Sequence, residues 1–280
     1  MPAVSLTDVL KPAMEQGCAI AGLVVLGYED ALAYVQAAEE TGIPIILQAG
    51  PGCRRHTPLP ILGTMFRHLA EQASVPVVCH IDHGMSVEEC REGIESGFTS
   101  VMFDGSALPI DQNIETTAQV VELARPHGIS VEGEVGFVGY AQGEASAATS
   151  PDEAALFDRE SGADALAVSV GNVHLKTEKT TGIDRQALHA IEQVTRLPLV
   201  LHGGSGIPGA TRQALAAETR VCKFNIGTEL RMAFGAALRT SLAEQPDVFD
   251  RNALLSPTVH PISEVTKTVI SALYHPTQKA

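Results

Sequence analysis

Apolar residues fall into short runs separated by longer amphipathic segments. Eight runs read as buried strands: Ala19–Leu26 (AIAGLVVL), then runs beginning at Ile45 (IILQ), Val77 (VVCHID), Val101 (VMFD), Ser130 (SVEGEV), Ala165 (ALAVSV), Leu199 (LVLHG) and Cys222 (CKFNIG). From Ile45 onward the starts lie 23 to 35 residues apart, the length of a strand, a helix and two loops. The intervening segments carry helix punctuation. Glu29–Thr41 has apolar residues at helical intervals, Ser86-Val-Glu-Glu89 and Ser150-Pro-Asp-Glu153 have the form of capping boxes, and Gly42, Gly97, Gly128 and Gly162 stand where left-handed C-terminal caps are expected.

Strands that are apolar throughout are buried on both faces, as in a parallel sheet covered by helices. Eight of them, each followed by a helix, predict a closed (β/α)8 TIM barrel. An open doubly wound sheet is the competitor, and no G-x-G-x-x-G follows the first strand to support it. No linker interrupts the rhythm. Residues 1–280 are therefore expected to form one domain, with the barrel at about 17–243 and a helical tail at about 244–280, including helices over Glu244–Arg251 and Pro261–Tyr274. Gly136–Thr149, rich in Gly, Ala and Ser, is the longest non-periodic stretch and a candidate lid.

Composition narrows the function. Hydrophobic residues are 45% and charged residues 19%, enough for a large core. Asp and Glu number 33 against 19 Lys and Arg, and Trp is absent, so neither a phosphate-backbone footprint nor a base-stacking platform is expected, and no nucleic-acid partner. The five cysteines are scattered and odd in number, which suits a reducing compartment. The first residues lack a basic start and apolar core, and no apolar run reaches membrane-spanning length. The expectation is a cytoplasmic protein with no membrane partner.

Functional groups of such a barrel gather at the C-terminal ends of the strands. There the chain carries His80, Asp82 and His83, then Asp104, then Glu132 and Glu134, then Asn172 and His174, then His202, then Asn225 and Thr228. Three imidazoles from different strand ends can converge on a dication such as zinc, and three protein ligands leave a position open for substrate. The other readings are satisfied core histidines and a helix-capping Asp82. Asp104 and Glu134 can hold a second cation or orient the histidines. His56, His68, His127, His189, His260 and His275 read as surface or structural. The run His202–Gly209 (HGGSGIPG) can cradle an anion with backbone N–H groups, the alternative being a plain Gly-rich turn.

These motifs together resemble the class II, metal-dependent ketose-bisphosphate aldolases, nearest the tagatose- and fructose-bisphosphate subgroup. The resemblance runs over roughly residues 5 to 240 and rests on HIDHG (80–84), SVMFDGSALP (100–109), SVEGEVG (130–136), AVSVGNVH (167–174), LVLHGGSG (199–206) and CKFNIGTELRMAF (222–234). It implies that His83, His174 and His202 hold a catalytic zinc ion and that Asp104 and Glu134 belong to a second metal position, with a monovalent cation as a further cofactor. Asp82 would move the proton on the oxygen at the carbon whose bond breaks. Gly203, Gly204 and Ser205 with Asn225, Ile226, Gly227 and Thr228 would hold dihydroxyacetone phosphate. The implied reaction is reversible cleavage of a ketose phosphate such as fructose or tagatose 1,6-bisphosphate to dihydroxyacetone phosphate and an aldehyde, by a homodimer or homotetramer.

The chain departs from the family pattern at three places. Gln142 stands where a mobile loop Glu belongs, with Glu144 two residues on as the candidate replacement. Leu23-Val24 replaces Phe-Asn, and Leu175 replaces the Gly after the ligand histidine. Arg54 and Arg55 follow the second strand, where they can meet a carboxylate or distal phosphate of the substrate or form a solvated basic pair. Lys223 is the only lysine inside a strand, so a Schiff-base route stays open on pattern alone. The alternative from another class is a metal-binding barrel of this fold without aldol activity, serving as a partner subunit or binding protein.

Overall fold

The computed structural model describes residues 3–141, 143, 145–179 and 182–276. The elements follow one another as α1 (Leu6–Glu15), β1 (Ile20–Val24), α2 (Tyr28–Thr41), β2 (Ile45–Ala49), α3 (Pro51–His56), α4 (Leu59–Gln72), β3 (Val77–Gly84), α5 (Val87–Glu95) and β4 (Ser100–Phe103). Then come α6 (Ile110–Ala124), β5 (Ser130–Val135), α7 (Pro151–Glu160), β6 (Ala165–Val168), α8 (Arg185–Val194), β7 (Leu199–Leu201), α9 (Gly209–Glu218), β8 (Val221–Ile226), α10 (Thr228–Glu244), α11 (Arg251–Leu255) and α12 (Val259–Leu273). All eight strands are parallel, and β8 pairs with β1 to close the barrel.

The outward faces of the strands pack under the helices in one large core, which explains their unbroken apolar runs. The barrel interior is apolar only toward its N-terminal end. There Ile20, Ile46, Val78, Ala165 and Val200 meet Leu6, Val9, Leu10 and Ala13 of α1, which plugs that mouth. Toward the C-terminal end the interior becomes polar, with Gln48, His80, Asp82, Ser100, Glu132, Glu134, His202, Lys223 and Asn225 all buried.

Local chemistry explains the element ends. Gly42, Gly128 and Gly162 take left-handed φ of 70°, 66° and 70° at the ends of their helical segments. Ser86 accepts the Glu89 N–H at 3.1 Å and caps α5. Ser150, expected to cap as well, makes no side-chain cap bond, and α7 opens instead on Pro151 with its preset φ. The expected helix over Glu244–Arg251 does not form. Pro246 disfavours helical geometry at Gln245, α10 stops at Glu244, and Asp250 caps the short α11 by accepting the Ala253 N–H at 2.9 Å. The expected helix at the C-terminal end is α12, packed against α2 and α10. Among the described residues no helix is long and apolar enough to cross a membrane.

Candidate active site

Consecutive strand residues normally face opposite sides of a sheet. Asp82 and His83 nevertheless line one pocket, with Asp82 Oδ1 4.0 Å from His83 Nε2. The β3–β4 register shifts between Ile81 and Gly84, and His83 takes φ 54°, which turns its side chain to the same face as Asp82.

Three imidazoles meet there. The His83 ring centroid lies 5.3 Å from that of His174 and 4.6 Å from that of His202, and His174 and His202 are 5.7 Å apart. One nitrogen of each lies within 4.8 Å of the others. The tautomers of two are set by neighbours. His83 Nδ1–H donates to Asp104 Oδ2 at 2.7 Å, leaving Nε2, and His202 Nε2–H donates to Glu132 Oε1 at 3.1 Å, leaving Nδ1. Both remaining nitrogens are buried without a hydrogen-bond partner, as is Glu134 Oε2, which lies 3.5 Å from His202 Nδ1. His174 is held by its main chain. Its N–H donates to Gly139 O at 2.8 Å, its carbonyl accepts the Ala141 N–H at 3.0 Å, and its ring stacks on Tyr140.

Charge favours a cation at this point. Burial and the neighbouring imidazoles keep His202 well below the usual histidine range and bring His174 down to about 4, so both rings offer lone pairs. Burial also opposes charge on His83, but the carboxylates of Asp82, Asp104 and Glu134 outweigh it and push His83 up to about 10. Burial and the Asp104 charge raise Glu134 to about 8. The carboxylates thus demand one positive centre among the rings, which a proton on His83 or a divalent ion supplies. Orphaned inward-facing nitrogens, oriented by carboxylates on their far sides, fit a metal ion. His83, Asp104 and Glu134 form a second group with ligand-like spacing, in which Asp104 also accepts from Ser106 Oγ at 2.6 Å.

Beneath the rings lies a fully buried ionic layer. Lys223 Nζ donates to Glu132 Oε2 at 2.6 Å and reaches His80 Nε2 at 3.4 Å, and His80 Nδ1–H donates to Ser100 Oγ at 2.8 Å. Lys223 is therefore the counter-ion of the carboxylate that orients His202. It is fully buried and its Nζ is paired with Glu132, so it has no free amine to offer for a Schiff base.

The pocket above the rings is a cavity of about 250 Å³. Gly203, Ser205, Asn225, Gly227 and Thr228 line it, as expected. Gly203 needs its φ of 66°, and a Cβ there would come within 2.2 Å of Val173 O. Ser205 Oγ accepts the Gly227 and Glu229 N–H groups at 3.2 and 3.4 Å, so its own proton is free for an anion at the start of α10. Glu229, one residue into that helix, would repel such an anion, but Arg212 at 2.7 Å and Lys179 at 3.0 Å offset its charge. Asn225 Nδ2 donates to Asp82 Oδ1 at 2.9 Å.

Four expectations need revision or a boundary. Gly204 and Ile226 do not line the pocket, because the Ile226 side chain points into the core and lies over Gly204. Arg54 does not reach the pocket either. Its side chain, 5% exposed, is consumed by Glu89 and main-chain carbonyls, and its neighbour Arg55 lines the pocket instead. Glu144 and Gln142 lie outside the described residues. Sequence reasoning also missed Arg231 and Tyr140 as pocket-lining groups; the position of Arg231 one turn after Thr228 on α10 was the available signal.

Leu175 keeps φ 55°, the conformation a glycine would take, with its side chain 51% exposed at the rim. A left-handed Leu costs about 1 kcal/mol. Leu175→Gly is expected to raise the thermal midpoint by about 2 °C, the relieved strain being partly offset by greater freedom of the unfolded chain. A thermal melt checks this, and a lower midpoint would show that the side chain itself stabilises the rim.

The family model described as fructose-bisphosphate aldolase class-II matches residues 4–276. A Bacillus subtilis (strain 168) protein named "Probable fructose-bisphosphate aldolase" is 38% identical over 272 residues, covering 94% of this chain and 95% of that one. The fructose-bisphosphate aldolase of Geobacillus stearothermophilus is 36% identical over 264 residues, covering 92% of each. The crystal structure of the YdjI aldolase from Escherichia coli K12 superposes with a TM-score of 0.85 at 29% identity, covering 99% of this chain and all of that one.

Proposed function

The chain belongs to the class II fructose-bisphosphate aldolase family, and from that premise we propose that it is a zinc-dependent aldehyde-lyase with its reaction centre at His83, His174, His202 and Asp82. The reaction is cleavage of a ketose phosphate or bisphosphate, such as fructose or tagatose 1,6-bisphosphate, to dihydroxyacetone phosphate and an aldehyde. The observation that carries this reading is the pair of buried, unpartnered histidine nitrogens beside Asp82 and a glycine-lined anion cradle.

Each group has a role that its surroundings support. His83, His174 and His202 would hold the ion, and an all-imidazole set suits zinc. When bound, the ion supplies Lewis-acid stabilisation of the negative charge left beside a carbonyl when the carbon–carbon bond breaks. Asp82, held by Asn225, takes the proton from the hydroxyl on the carbon that becomes the aldehyde, and returns it in the condensation direction. Ser205, Gly203 and the start of α10 bind the phosphate of the ketose half. Arg55 and Arg231, at the same pocket, are placed to meet a second anionic group. Val24, in place of a polar residue at the end of β1, leaves an apolar wall beside them.

Purified protein tests the proposal. Stripping the metal with a chelator is expected to lower release of dihydroxyacetone phosphate from fructose or tagatose 1,6-bisphosphate by about 100-fold, with zinc restoring it. His174→Ala is expected to lower metal content and activity together. Bound zinc with no cleavage of any ketose bisphosphate or monophosphate would instead favour a metal-binding relative without aldol activity.

A further inference from the structure

The turn that brings Asp82 and His83 to one face has a cost in hydrogen bonds. β3 pairs with β4 at His80–Ser100 and Ile81–Val101 and resumes only at Gly84–Phe103, and β2 ends at Ala49, opposite Ile81. The carbonyls of Asp82 and His83 are thereby left outside the ladder in a buried region, where unpaired backbone groups are strongly disfavoured. Arg54 supplies the missing donors. Its Nη1 donates to Asp82 O at 2.6 Å and to Ala49 O at 2.5 Å, and its Nη2 donates to His83 O at 2.7 Å. Its Nε donates to Glu89 Oε1 at 2.7 Å, while Glu89 Oε2 accepts the Met85 N–H at 2.8 Å. One planar guanidinium thus joins the ends of β2 and β3 to α5.

We propose that Arg54 is a positioning residue: anchored on Glu89, it holds the Asp82–His83 peptide so that the proton-transferring carboxylate and the metal-binding imidazole stay on the same side of the strand. The role needs a fork of fixed donors, which a lysine ammonium does not offer. In this backbone conformation Asp82 reaches Asn225 and His83 reaches Asp104, so loosening it is expected to displace both groups at once.

The inference rests on the reading of Asp82 and His83 given above, and full-length variants test it. Zinc affinity is measured by competition with a chromophoric chelator, and kcat and KM are measured separately with fructose or tagatose 1,6-bisphosphate. Arg54→Met is expected to weaken zinc affinity about 10- to 100-fold, in the range for residues supporting a metal ligand. It should lower kcat about 100-fold with KM within about threefold of wild type. Arg54→Lys should stay closer to Arg54→Met than to wild type. A raised KM with kcat and zinc affinity intact would make Arg54 a substrate-binding group and overturn the proposal. A lower melting temperature with unchanged zinc affinity and kcat would reduce Arg54 to a support of the fold. If Arg54→Met does not fold, Glu89→Ala removes the anchor and keeps the guanidinium. It should show the same two losses at several-fold, and wild-type values there would sink the idea. Absence of zinc binding by the wild type would remove the reading of the centre itself, whereas a zinc-binding, active wild type matched by Arg54→Met would remove this inference alone.

Discussion

Asp82→Ala is expected to lower kcat by about 10³-fold while zinc stays bound, because general acid–base groups typically contribute 10²–10⁴. The separation of the two readouts follows from geometry. Asp82 is not one of the three imidazoles, and the orphaned nitrogens of His83 and His202 owe their orientation to Asp104 and Glu132 rather than to Asp82. Removing Asp82 leaves those contacts standing. The carboxylate is well suited to accept a proton: burial alone would raise it, but the positive charge at His83, with that of Lys223 further off, brings it below its ordinary value, so it is ionised at neutral pH. Asn225 fixes one of its oxygens, and Gly50 leaves room at the other, since a Cβ at Gly50 would stand only 3.3 Å from Asp82 Oδ2. Metal analysis alongside kcat and KM checks the prediction. Normal turnover in Asp82→Ala would refute the proton-transfer role, and parallel loss of zinc would move Asp82 into the metal site.

The barrel was legible because parallel strands buried on both faces print as continuous apolar runs, and the helices between them carry their own caps. The strand-end residues were legible for a similar reason: a barrel leaves few places for His83, His174 and His202 except its C-terminal mouth. Features created by backbone irregularity were not legible. Arg54 and Arg55 are adjacent and chemically alike, yet one is spent on carbonyls released by the turn at His83 and the other lines the pocket. Nothing in the pair of letters says which helix face points inward. Ile226 fell in a motif whose other members do line the pocket, but strand alternation turned it outward into the core. The plug made by α1 was equally hidden, since its apolar stripe has meaning only beneath an open barrel end.

Lys223→Met is expected to destabilise the fold by about 3–5 kcal/mol, the usual consequence of removing one partner from a buried ion pair. The lysine and Glu132 are both fully buried, their contact is 2.6 Å, and the other Glu132 oxygen is committed to His202. Without the ammonium, Glu132 keeps a charge in a site that offers it only the His202 N–H, and His80 loses the donor at its Nε2. In a chain of this size that loss lowers the thermal midpoint by about 10 °C. Because Glu132 sets the tautomer of His202, zinc affinity should fall as well, about tenfold. The double variant Lys223→Met/Glu132→Gln separates the two effects. It removes both charges, so much of the stability should return, whereas an amide oxygen accepts the His202 N–H without the carboxylate's charge and should leave zinc affinity below wild type. Denaturant melts and chelator competition on the same samples read both quantities. A stability loss under about 1 kcal/mol in Lys223→Met would mean that the buried layer relaxes around the missing charge. Borohydride trapping tests the Schiff-base alternative separately: added with dihydroxyacetone phosphate it should leave the wild-type mass unchanged, since a fully buried amine paired with a carboxylate has no route to a carbonyl in the pocket.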